Sequence, residues 1–558
     1  MKKTTTAYDA IVIGAGSAGC LTAGRLVADH QLRVLLLEAG PGDRHPLIHM
    51  PAGFVKLLNN DRYMTFHKSD HHPHLFDRTP SIPQGKVLGG GSSVNAMVYI
   101  RGQARDYDEW VAATGDSGWS FEHLLPHFTR MEGNSTFNNS MHGTAGPLKV
   151  SDAQHPCDLS RAFVLAAQAA GIAHNPDFNS GIQNGAGFYQ LTTFNGRRCS
   201  AVDAFLKPVL QNPKLTVLTG AHVSRVLIEN GVAQGVEYSR NGQLEQVFAP
   251  QVIVTAGALV TPQILMLSGI GPAEELAQHG IEVMVDLPGV GQNLQDHHEV
   301  PVLSFCNGPY GYYQQDAGWN RLRNGLQYLA FGSGPVTSNG VEAGAFFNPD
   351  DADAEPTVQV FCIPSVYLDP DVTDQKATYG LTLNSCVLRP RSRGKVSLQS
   401  ADPRVSPMVY PNYLHDPEDM RLSIAGIRKA LEIVRAAPLS GMIDRLVFPP
   451  IPDPDDASLE VHCRRSVKTV YHPVGTCRMG RDDDPMAVLT PKLQVRGVKG
   501  LSVFDASSWP TIISGNTNAT TYAVADRGVA LLMGETLPKP KNHNGPVDAW
   551  PLQKVSVS

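Results

Sequence analysis

Closely spaced cysteine pairs are missing from this sequence. Its eight cysteines are scattered over 558 residues without a C-x-x-C pair, which argues against a zinc ribbon and against a disulfide framework. An excess of basic residues is also missing, because the formal net charge is -6 at pH 7. We therefore expect reduced thiols, no metal site and no nucleic-acid partner.

Long apolar runs are equally scarce. No uncharged apolar stretch reaches the roughly 18 residues of a membrane-spanning helix, so no transmembrane segment is predicted. We expect a cytoplasmic protein, and contact with the periphery of the inner membrane stays open. With 42% hydrophobic and 18% charged residues, the chain has a globular composition. Its length exceeds the roughly 250 to 300 residues at which one core stops growing, which indicates at least two domains.

The start of the chain has the pattern of a strand, a turn, a helix and a second strand. Residues 9–13 and 33–38 are almost continuous apolar runs, which is typical of parallel strands buried on both faces. Between them, the sequence GAGSAG at residues 14–19 opens a helix that is expected to end near Asp29. Together these segments predict a βαβ unit.

The GAGSAG segment matches the G-x-G-x-x-G pattern of a phosphate-binding turn. Gly14 allows the tight turn, Gly16 lets a pyrophosphate approach the backbone, and Gly19 lets the helix pack against the strand. The helix N-terminus adds free N–H groups and a partial positive charge. Glu38, at the end of the second strand, suits both hydroxyls of a ribose and would repel a 2′-phosphate. This motif alone does not separate FAD from NAD.

Later segments carry further chemistry. Residues 85–97 form a second Gly/Ser-rich loop, whose N–H groups suit the phosphates and ring edge of a cofactor. Residues 257–271 begin with small residues after an apolar run and end at a glycine. Near the C-terminus, the sequence YHPVGTCRMG at residues 471–480 precedes two short polar segments at 505–507 and 514–520.

The order and spacing of these segments resemble the glucose-methanol-choline (GMC) oxidoreductase family over residues 8–534. The resemblance implies FAD and an α/β fold, α+β overall. In that fold a discontinuous Rossmann-like FAD-binding domain carries an inserted substrate-binding domain built on an antiparallel sheet. Val94 stands where covalently flavinylated relatives carry a histidine, so we expect non-covalent FAD. The cofactor-binding residues that the resemblance implies are Gly14, Gly16, Ser17, Ala18, Gly19, Glu38, Gly89, Gly90, Ser92, Asn95, Ala96, Met97, Val98, Val223, Asp505, Ala506, Asn516 and Thr517.

The domain organisation that we expect is discontinuous. The FAD-binding domain takes residues 1–150, 211–299 and 466–537, and the substrate-binding domain takes residues 151–210 and 300–465. Residues 538–558, rich in proline, lysine and asparagine, are expected to form a disordered tail.

Local patterns predict several further elements. Asn230-Gly231 and Asn241-Gly242, each between β-type runs, predict two-residue hairpin turns. Helical periodicity predicts helices over residues 422–436 and 519–533. Residues 42–84, with weak periodicity, are expected to form an extended connection over the surface.

Alcohol oxidation must remove a hydroxyl proton and a hydride from the carbon that bears the hydroxyl. A histidine suits the base because its ordinary pKa of about 6.5 leaves it mostly neutral at pH 7. The resemblance assigns this role to His472, and we expect flavin reduction to follow an ordinary histidine pKa. It gives the second site position to Asn516, whose amide would donate to the developing alkoxide. The helix after Asn516 would direct its N-terminal dipole at the flavin.

The function that we expect is oxidation of a small primary alcohol to the aldehyde by hydride transfer to flavin N5. Choline dehydrogenase is the alternative. A cyanohydrin lyase, a fatty-acid decarboxylase, a flavin-binding protein without catalysis and a NAD-dependent enzyme are less favoured. The natural alcohol, the electron acceptor (oxygen, a quinone or another carrier) and the oligomeric state stay open.

Other clusters of polar residues receive structural interpretations. The histidines at positions 67, 71, 72 and 74 are expected on a surface loop, because no carboxylate or cysteine spacing accompanies them. His297 and His298 are expected to pack at the domain junction. A set of aromatic residues beyond position 309 could form a cage for a quaternary ammonium ion, or it could line an apolar pocket for an alcohol, and we favour the pocket. It consists of Tyr310, Tyr312, Tyr313 and Trp319, with Glu342 beyond them.

Overall fold

A five-stranded parallel sheet lies at the centre of the computed structural model, which describes residues 7–367 and 375–536. Both predicted N-terminal strands belong to this sheet, and every residue in them is buried. This burial explains their continuous apolar sequence. The predicted tail at 538–558 lies outside the described residues. The strands, in their order across the sheet, are Leu215–Thr219, Val34–Glu38, Ala10–Ile13, Gln251–Val254 and Leu501–Val503.

Two helices pack against each other beside this sheet. The first, Ser17–Ala28, follows the first strand, and its small residues allow a close approach to its neighbours. A Cβ added at Gly24, for example, would lie 2.4 Å from the carbonyl oxygen of Phe205. The second, Asn518–Met533, ends at Gly534 in the left-handed conformation. Both helices match their predicted extents within one residue.

A three-stranded antiparallel meander follows the strand Leu215–Thr219. Asn230, Gly231, Asn241 and Gly242 all have positive φ, between 51° and 77°, which is the conformation of type I′ turns. The two predicted hairpin turns are confirmed. The strands are Ala221–Glu229, Val232–Arg240 and Gln243–Phe248.

A seven-stranded antiparallel sheet forms the second large layer. Helices Asp158–Ala169 and Pro417–Arg435 bury apolar faces in a core that is separate from the core of the parallel sheet. The second helix starts earlier than predicted, because Asp416 caps the backbone N–H of Glu418 and proline occupies the first turn. The strands are Ile443–Phe448, His298–Cys306, Gly380–Val387, Val358–Ile363, Ala343–Phe347 and Gly185–Phe188, with Lys468–Thr469 paired to His298–Cys306.

The expectation for residues 42–84 is wrong in part. This stretch contains the antiparallel strands Met64–Lys68 and Ser81–Gly85. Ile48 and Leu57 within it are fully buried, in a small core that also contains Val94. The helices here, Pro46–His49 and Phe54–Leu57, have only four residues each, which is too short to give a periodic signal.

The remaining elements are short or peripheral. None of the helices within residues 7–367 and 375–536 has both the length and the apolar character needed to cross a bilayer. The other α-helices in the described residues are Pro46–His49, Phe54–Leu57, Gly91–Val94, Ala104–Thr114, Phe121–Met131, Thr261–Leu267, Ala273–Gln278, Gly318–Phe331 and Asp456–Ser466. The other strands are Glu132–Asn134, Leu148–Asp152, Gln190–Leu191, Thr193–Phe194, Arg197–Arg198, Ile270–Gly271, Val285–Asp286, Lys395–Ser397 and Met408–Tyr410.

Candidate active site

One large cavity, of about 1160 Å³, lies between the two main sheets. Ile13, Glu38 and Asp505, at or just beyond the carboxyl ends of parallel strands, line it on one side. Phe361 and Ile363 of the antiparallel sheet line it on the other. Small-molecule pockets usually measure about 300 to 1,000 Å³, so this cavity has room for a large cofactor together with a substrate. Its position at the carboxyl edge is where open α/β sheets bind nucleotides.

The GAGSAG turn forms one wall of the cavity. Gly14 has a φ of 92°, and a Cβ there would meet the carbonyl oxygen of Thr255 at 2.7 Å. Gly16 is different, because a Cβ on it would meet only the Cα of Gly90, at 3.9 Å. Gly19 does not line the cavity: a Cβ there would lie 1.9 Å from the Gly14 carbonyl oxygen, so it serves helix packing. Each glycine thus has the structural role that the motif predicts.

The helix that starts at Ser17 leaves its first N–H groups available. Its cap residue, Gly16, offers no side-chain acceptor, and its first turn carries no acidic residue. Ser17 and Ala18 line the cavity beside it. An uncapped N-terminus facing a cavity is suited to a phosphate group.

Glu38 also reaches the cavity, although it is only 7% exposed. One carboxylate oxygen accepts from the backbone N–H of Ala15 at 2.9 Å, and the other from Gly40 at 2.7 Å. Each oxygen can accept further hydrogen bonds, as a ribose would require. Burial raises the pKa of Glu38 to about 7, against the opposing effect of its two backbone donors.

The second glycine-rich loop touches the first. Gly90, with a φ of 51°, comes so close to Gly16 that a Cβ on it would lie 2.7 Å from the Gly16 Cα. Asn95, Ala96, Met97 and Val98 follow along the cavity wall, as the resemblance implies. This close approach and the positive φ explain the glycine at position 90.

Two residues of this loop lie behind the wall. Gly89 and Ser92 do not line the cavity. The Ser92 hydroxyl donates to the carbonyl oxygen of Gly89 at 2.6 Å and accepts from the Ala201 N–H at 3.0 Å. Arg198, buried, donates to the Ser92 carbonyl oxygen and to Asn95 Oδ1. These hydrogen bonds therefore stabilise the loop on the side away from the cavity and leave its cavity side free for a ligand.

The remaining cofactor positions reach the same cavity. Val223, Ala506 and Thr517 line it, and so does Val94. Asp505 lines it too, but both of its oxygens are engaged, one by Thr261 at 2.6 Å and one by Ser507 at 2.8 Å. Asp505 therefore stabilises the turns that carry Thr261 and Ser507. The glycine cradle and the uncapped helix fit a dinucleotide, and FAD is of that size.

His472 and Asn516 meet in the cavity wall. The Asn516 amide nitrogen lies 3.3 Å from His472 Nε2, although the residues are far apart in the sequence. His472 is 9% exposed. Burial lowers its pKa well below the usual value, and the neighbouring His297 acts in the same direction. The imidazole is thus neutral at pH 7 and stays neutral at more acidic pH than an ordinary histidine, contrary to the sequence expectation.

The hydrogen bonds of His297 fix which nitrogen of His472 carries the proton. His297 Nε2 lies 2.8 Å from the carbonyl oxygen of Leu388, which can only accept, so Nε2 carries the proton. The neutral ring must then accept at Nδ1, where His472 Nδ1 lies at 2.9 Å. His472 therefore donates from Nδ1 and keeps Nε2 as a proton acceptor toward the cavity. The neutral state of His297 agrees with its pKa, which burial lowers to about 4.

Asp296 holds the backbone of this histidine. Its carboxylate accepts from the His472 N–H at 2.9 Å and from the Thr469 hydroxyl at 2.6 Å. Tyr471, just before the histidine, has a φ of 67°, a conformation that is unfavourable for a bulky residue. The surrounding hydrogen bonds hold this strained turn, which is common at functional sites.

Asn516 retains an unused acceptor. Its Oδ1 is buried and finds no hydrogen-bond donor within the described parts of the chain. The helix Asn518–Met533 starts beside it with no side-chain cap. Asn518 Oδ1 accepts from the Ser17 hydroxyl at 2.6 Å, which joins the starts of the two helices. Two helix N-termini and an unsatisfied amide thus face the cavity, as a bound anionic cofactor and a polar substrate require.

Comparison with known proteins identifies the family. The N-terminal GMC oxidoreductase model matches residues 8–299, and the C-terminal GMC oxidoreductase model matches residues 390–525.

The chain belongs to the GMC oxidoreductase family.

Relatives extend over nearly the whole of this GMC oxidoreductase. It is 41% identical to an alcohol dehydrogenase (acceptor) of Pseudomonas putida, over 94% of this chain and 96% of that protein. It is 38% identical to an oxygen-dependent choline dehydrogenase of Rhizobium rhizogenes, over 99% of both chains. The crystal structure of pyridoxine 4-oxidase from Mesorbium loti superposes with a TM-score of 0.86 at 30% identity, over 95% of this chain and 99% of that one. The protein is an FAD-dependent oxidoreductase with the predicted fold class.

Two histidines of this GMC oxidoreductase contradict the predicted surface loop. His67 and His72 are 1% and 5% exposed. His67 Nε2 lies 3.0 Å from Gln84 Oε1, and the Gln84 amide donates to the Ala256 carbonyl oxygen at 2.9 Å. Both His67 and Gln84 line the cavity. Burial lowers the pKa of His67 to about 4. Nothing in the aperiodic sequence around His67 signals that it faces inward.

The predicted aromatic group does not assemble. Of its members, Tyr312 alone lines the cavity, while Trp319 is 74% exposed to solvent. Glu342 is fully buried and accepts from the hydroxyls of Tyr312 and Ser338. The group is therefore neither a cation cage nor a continuous pocket lining. Its residues were grouped by closeness in sequence, but Trp319 lies in the helix Gly318–Phe331 and Glu342 lies beside the strand Ala343–Phe347.

A carboxylate that the sequence reasoning missed does line the cavity. Glu299 is 4% exposed, and the ammonium group of Lys468 lies 3.6 Å from its Oε1. The strands that carry the two residues are paired, with Glu299 opposite Lys468. Lys468 also lies 3.8 Å from the centre of the Tyr367 ring. This wall of the cavity thus places a buried carboxylate opposite a buried ammonium group.

Proposed function

We propose that this protein oxidises a small primary alcohol to the aldehyde, with FAD bound non-covalently. The observation that carries the proposal is the meeting of His472 and Asn516 in the wall of the cavity, where His472 Nε2 lies 3.3 Å from the Asn516 amide nitrogen. FAD, when bound, supplies the hydride acceptor, flavin N5. The protein supplies the base and the orientation of the alcohol.

His472 Nε2 takes the hydroxyl proton of the alcohol. The amide of Asn516 donates to the same oxygen and stabilises the negative charge that grows on it. As the proton arrives, both ring nitrogens of His472 become donors. The Nδ1–H stays bound to His297, whose own proton is committed to the Leu388 carbonyl oxygen. Removing the proton leaves an alkoxide, from which a hydride departs readily.

Non-covalent attachment is supported by the loop beside the cavity. Val94 is 3% exposed and has no nucleophilic atom. The cradle of Gly14, Gly16 and Gly90 holds its ligand by shape and by backbone N–H groups. Flavin absorbance should therefore leave with the small-molecule fraction after acid precipitation. Colour that stays in the pellet would contradict this part of the proposal.

A neutral alcohol is favoured over choline by the charge balance of the cavity. A quaternary ammonium ion needs an uncompensated carboxylate or an aromatic cage. The Glu299 carboxylate lies opposite the Lys468 ammonium group, and the buried Glu342 carboxylate accepts hydrogen bonds from the hydroxyls of Tyr312 and Ser338. Choline oxidation remains the second candidate, because the chain is 38% identical to the oxygen-dependent choline dehydrogenase of Rhizobium rhizogenes.

The decisive experiment compares kcat/KM for straight-chain alcohols, benzyl alcohol and choline. Each reaction is followed both by peroxide formation and by reduction of an artificial dye. We expect the neutral alcohols to be at least about tenfold better than choline, because a misplaced charge costs about one order of magnitude. A clear preference for choline would overturn the substrate assignment. Peroxide formation would identify an oxidase.

The domain division is part of the proposal. The FAD-binding domain comprises residues 1–150, 211–299 and 466–537, and the substrate-binding domain comprises 151–210 and 300–465. Support for two domains comes from the two separate apolar cores, one around the parallel sheet and one around the antiparallel sheet. Residues 199–209 pack in the core of the parallel sheet, which favours an end of the segment 151–210 near residue 198.

A further inference from the structure

The helix Gly318–Phe331 has an unusual distribution of its side chains. Trp319, Leu322, Leu326 and Leu329 recur at the spacing of one helix face, and they are 74%, 50%, 59% and 77% exposed. Phe331, at its end, is 79% exposed. Trp319, Leu329 and Phe331 are the three most exposed large apolar side chains in the described part of the chain. A helix of a globular protein normally turns such a face toward the core.

The opposite face of this helix is polar and turned toward the protein. Asn324 is its one buried residue, and its amide donates to the backbone oxygen of Gln315 at 2.9 Å. Arg321, Asn324 and Gly325 line the cavity. The helix therefore separates the cavity from the solvent, with its polar side inward and its apolar side outward. Packing against the other described residues, 7–367 and 375–536, does not explain the apolar side.

The charge around the apolar face is positive. Arg321 and Arg323 are the charged residues of the helix, which contains no acidic residue. A hairpin lies beside the end of the helix, because a Cβ on its Gly196 would come within 2.5 Å of the Gly332 carbonyl oxygen. This hairpin adds another exposed arginine, Arg197, and another apolar side chain, the half-exposed Phe194. The whole chain carries a net charge of -6, so this patch is opposite in sign to the protein that carries it.

We propose that the helix Gly318–Phe331 seats in the surface of an anionic lipid bilayer and brings the cavity wall that it forms to the membrane. A tryptophan and leucine face flanked by arginines is the composition of helices that lie in the membrane interface. Arg323 and Arg197 meet the lipid phosphates while the apolar side chains enter the headgroup boundary. The cavity then opens where apolar alcohols and membrane-dissolved electron acceptors concentrate.

The apolar face of this helix is by itself too small to hold a second copy of the chain. A helix of 14 residues is about 21 Å long, and a face about 10 Å wide then covers about 210 Å². Two such faces would bury about 420 Å², well below the roughly 1,200 Å² of a stable protein interface. Insertion into lipid needs no matching surface, so a single helix is sufficient.

The test is co-sedimentation of the FAD-loaded enzyme with vesicles. One set contains phosphatidylcholine with about 30% phosphatidylglycerol, and the other contains phosphatidylcholine alone. We expect binding to the anionic vesicles, weaker binding to the neutral ones, and a blue shift of Trp319 emission on binding. Leu326→Glu with Leu329→Glu should lower the partition coefficient at least about tenfold, because burying one leucine is worth about one order of magnitude.

Two controls keep the outcome unambiguous. Leu165→Glu with Leu244→Glu, at positions 55% and 64% exposed elsewhere, should bind vesicles like the wild type. Arg323→Gln should reduce only the preference for anionic lipid, about fivefold. Activity on a water-soluble alcohol should be unchanged in the Leu326→Glu, Leu329→Glu enzyme, which separates this proposal from the proposed function. If that variant folds poorly, Trp319→Glu with Phe331→Glu tests the same face.

Three results would overturn the proposal. The wild type could stay in the supernatant with both kinds of vesicle. The Leu326→Glu, Leu329→Glu enzyme could sediment as strongly as the wild type. The wild type could also be a dimer that this double substitution converts to a monomer without any vesicle binding, which would assign the face to a second copy.

Discussion

The two ends of the cavity are built in different ways. At the proposed nucleotide end, formed by residues 14–19, 38 and 85–97, glycines bring backbones close together. At the substrate end, formed by His472, Asn516 and Glu299, side chains from separate segments meet one another. Backbone geometry depends on local sequence, whereas side-chain pairs depend on the tertiary fold. The first end therefore suits one constant ligand, and the second can change its substrate by single substitutions.

The largest effect is expected from the substitution that removes the base at the substrate end. His472→Ala should retain FAD but slow anaerobic flavin reduction at least about 100-fold, the usual contribution of a general base. Asn516→Ala is the matched variant, which should slow reduction without altering its pH dependence. Stopped-flow absorbance separates this step from reoxidation. Near-wild-type reduction in the His472 variant would remove the base assignment.

The pH profile tests the same histidine in the intact enzyme. Burial lowers the pKa of His472, and only the neutral ring accepts the hydroxyl proton. Reduction should therefore be constant from pH 6.5 (about the ordinary histidine value) to pH 8, and should fall only at lower pH, as His472 becomes protonated. A rate that still rises between pH 6.5 and pH 8 would show that His472 has an ordinary or raised pKa.

Sequence reasoning reached the nucleotide end more completely than the substrate end. Gly14, Gly16 and Gly19 lie within six positions and act through local backbone geometry, so their roles are readable from spacing. His297 and His472 are in contact although they are 175 positions apart in the sequence, and no local sequence pattern predicts such a contact. The histidine pair was missed for this reason, and His297 was assigned to packing. The family resemblance, not periodicity, supplied His472 and Asn516.

His297 provides the next test of the substrate end. His297→Ala should slow reduction about tenfold or more, because His472 loses the acceptor that keeps its proton on Nδ1, and the wrong tautomer cannot act as base. KM should change little, since His297 does not line the cavity. His297→Gln, which can both accept and donate, should recover part of the rate. Loss of stability with an unchanged rate of reduction would reduce His297 to a packing residue.

The nucleotide end is tested by Glu38. Glu38→Ala should weaken FAD binding about tenfold or more, because a hydrogen bond to a charged group contributes roughly 1.5 to 3 kcal/mol. Glu38→Gln keeps the size of the side chain and one acceptor, so its loss should be smaller. Titration of the apoprotein with FAD, followed by flavin fluorescence, gives both dissociation constants. Equal affinity in all three proteins would show that Glu38 does not hold the ribose.

The smallest effect concerns the charge balance at the substrate end. Lys468→Met keeps much of the apolar stem but removes the ammonium group that lies 3.6 Å from Glu299. The cavity wall then gains a negative charge, so kcat/KM for choline should rise a few-fold relative to an uncharged alcohol of similar size. Lys468→Arg retains the charge and serves as the control, with the substrate preference of the wild type. His472 and Asn516 are untouched, so the rate with uncharged alcohols should fall only modestly in both variants. An unchanged ratio in Lys468→Met would mean that the substrate does not approach Glu299, and that the shape of the cavity decides which alcohol is oxidised.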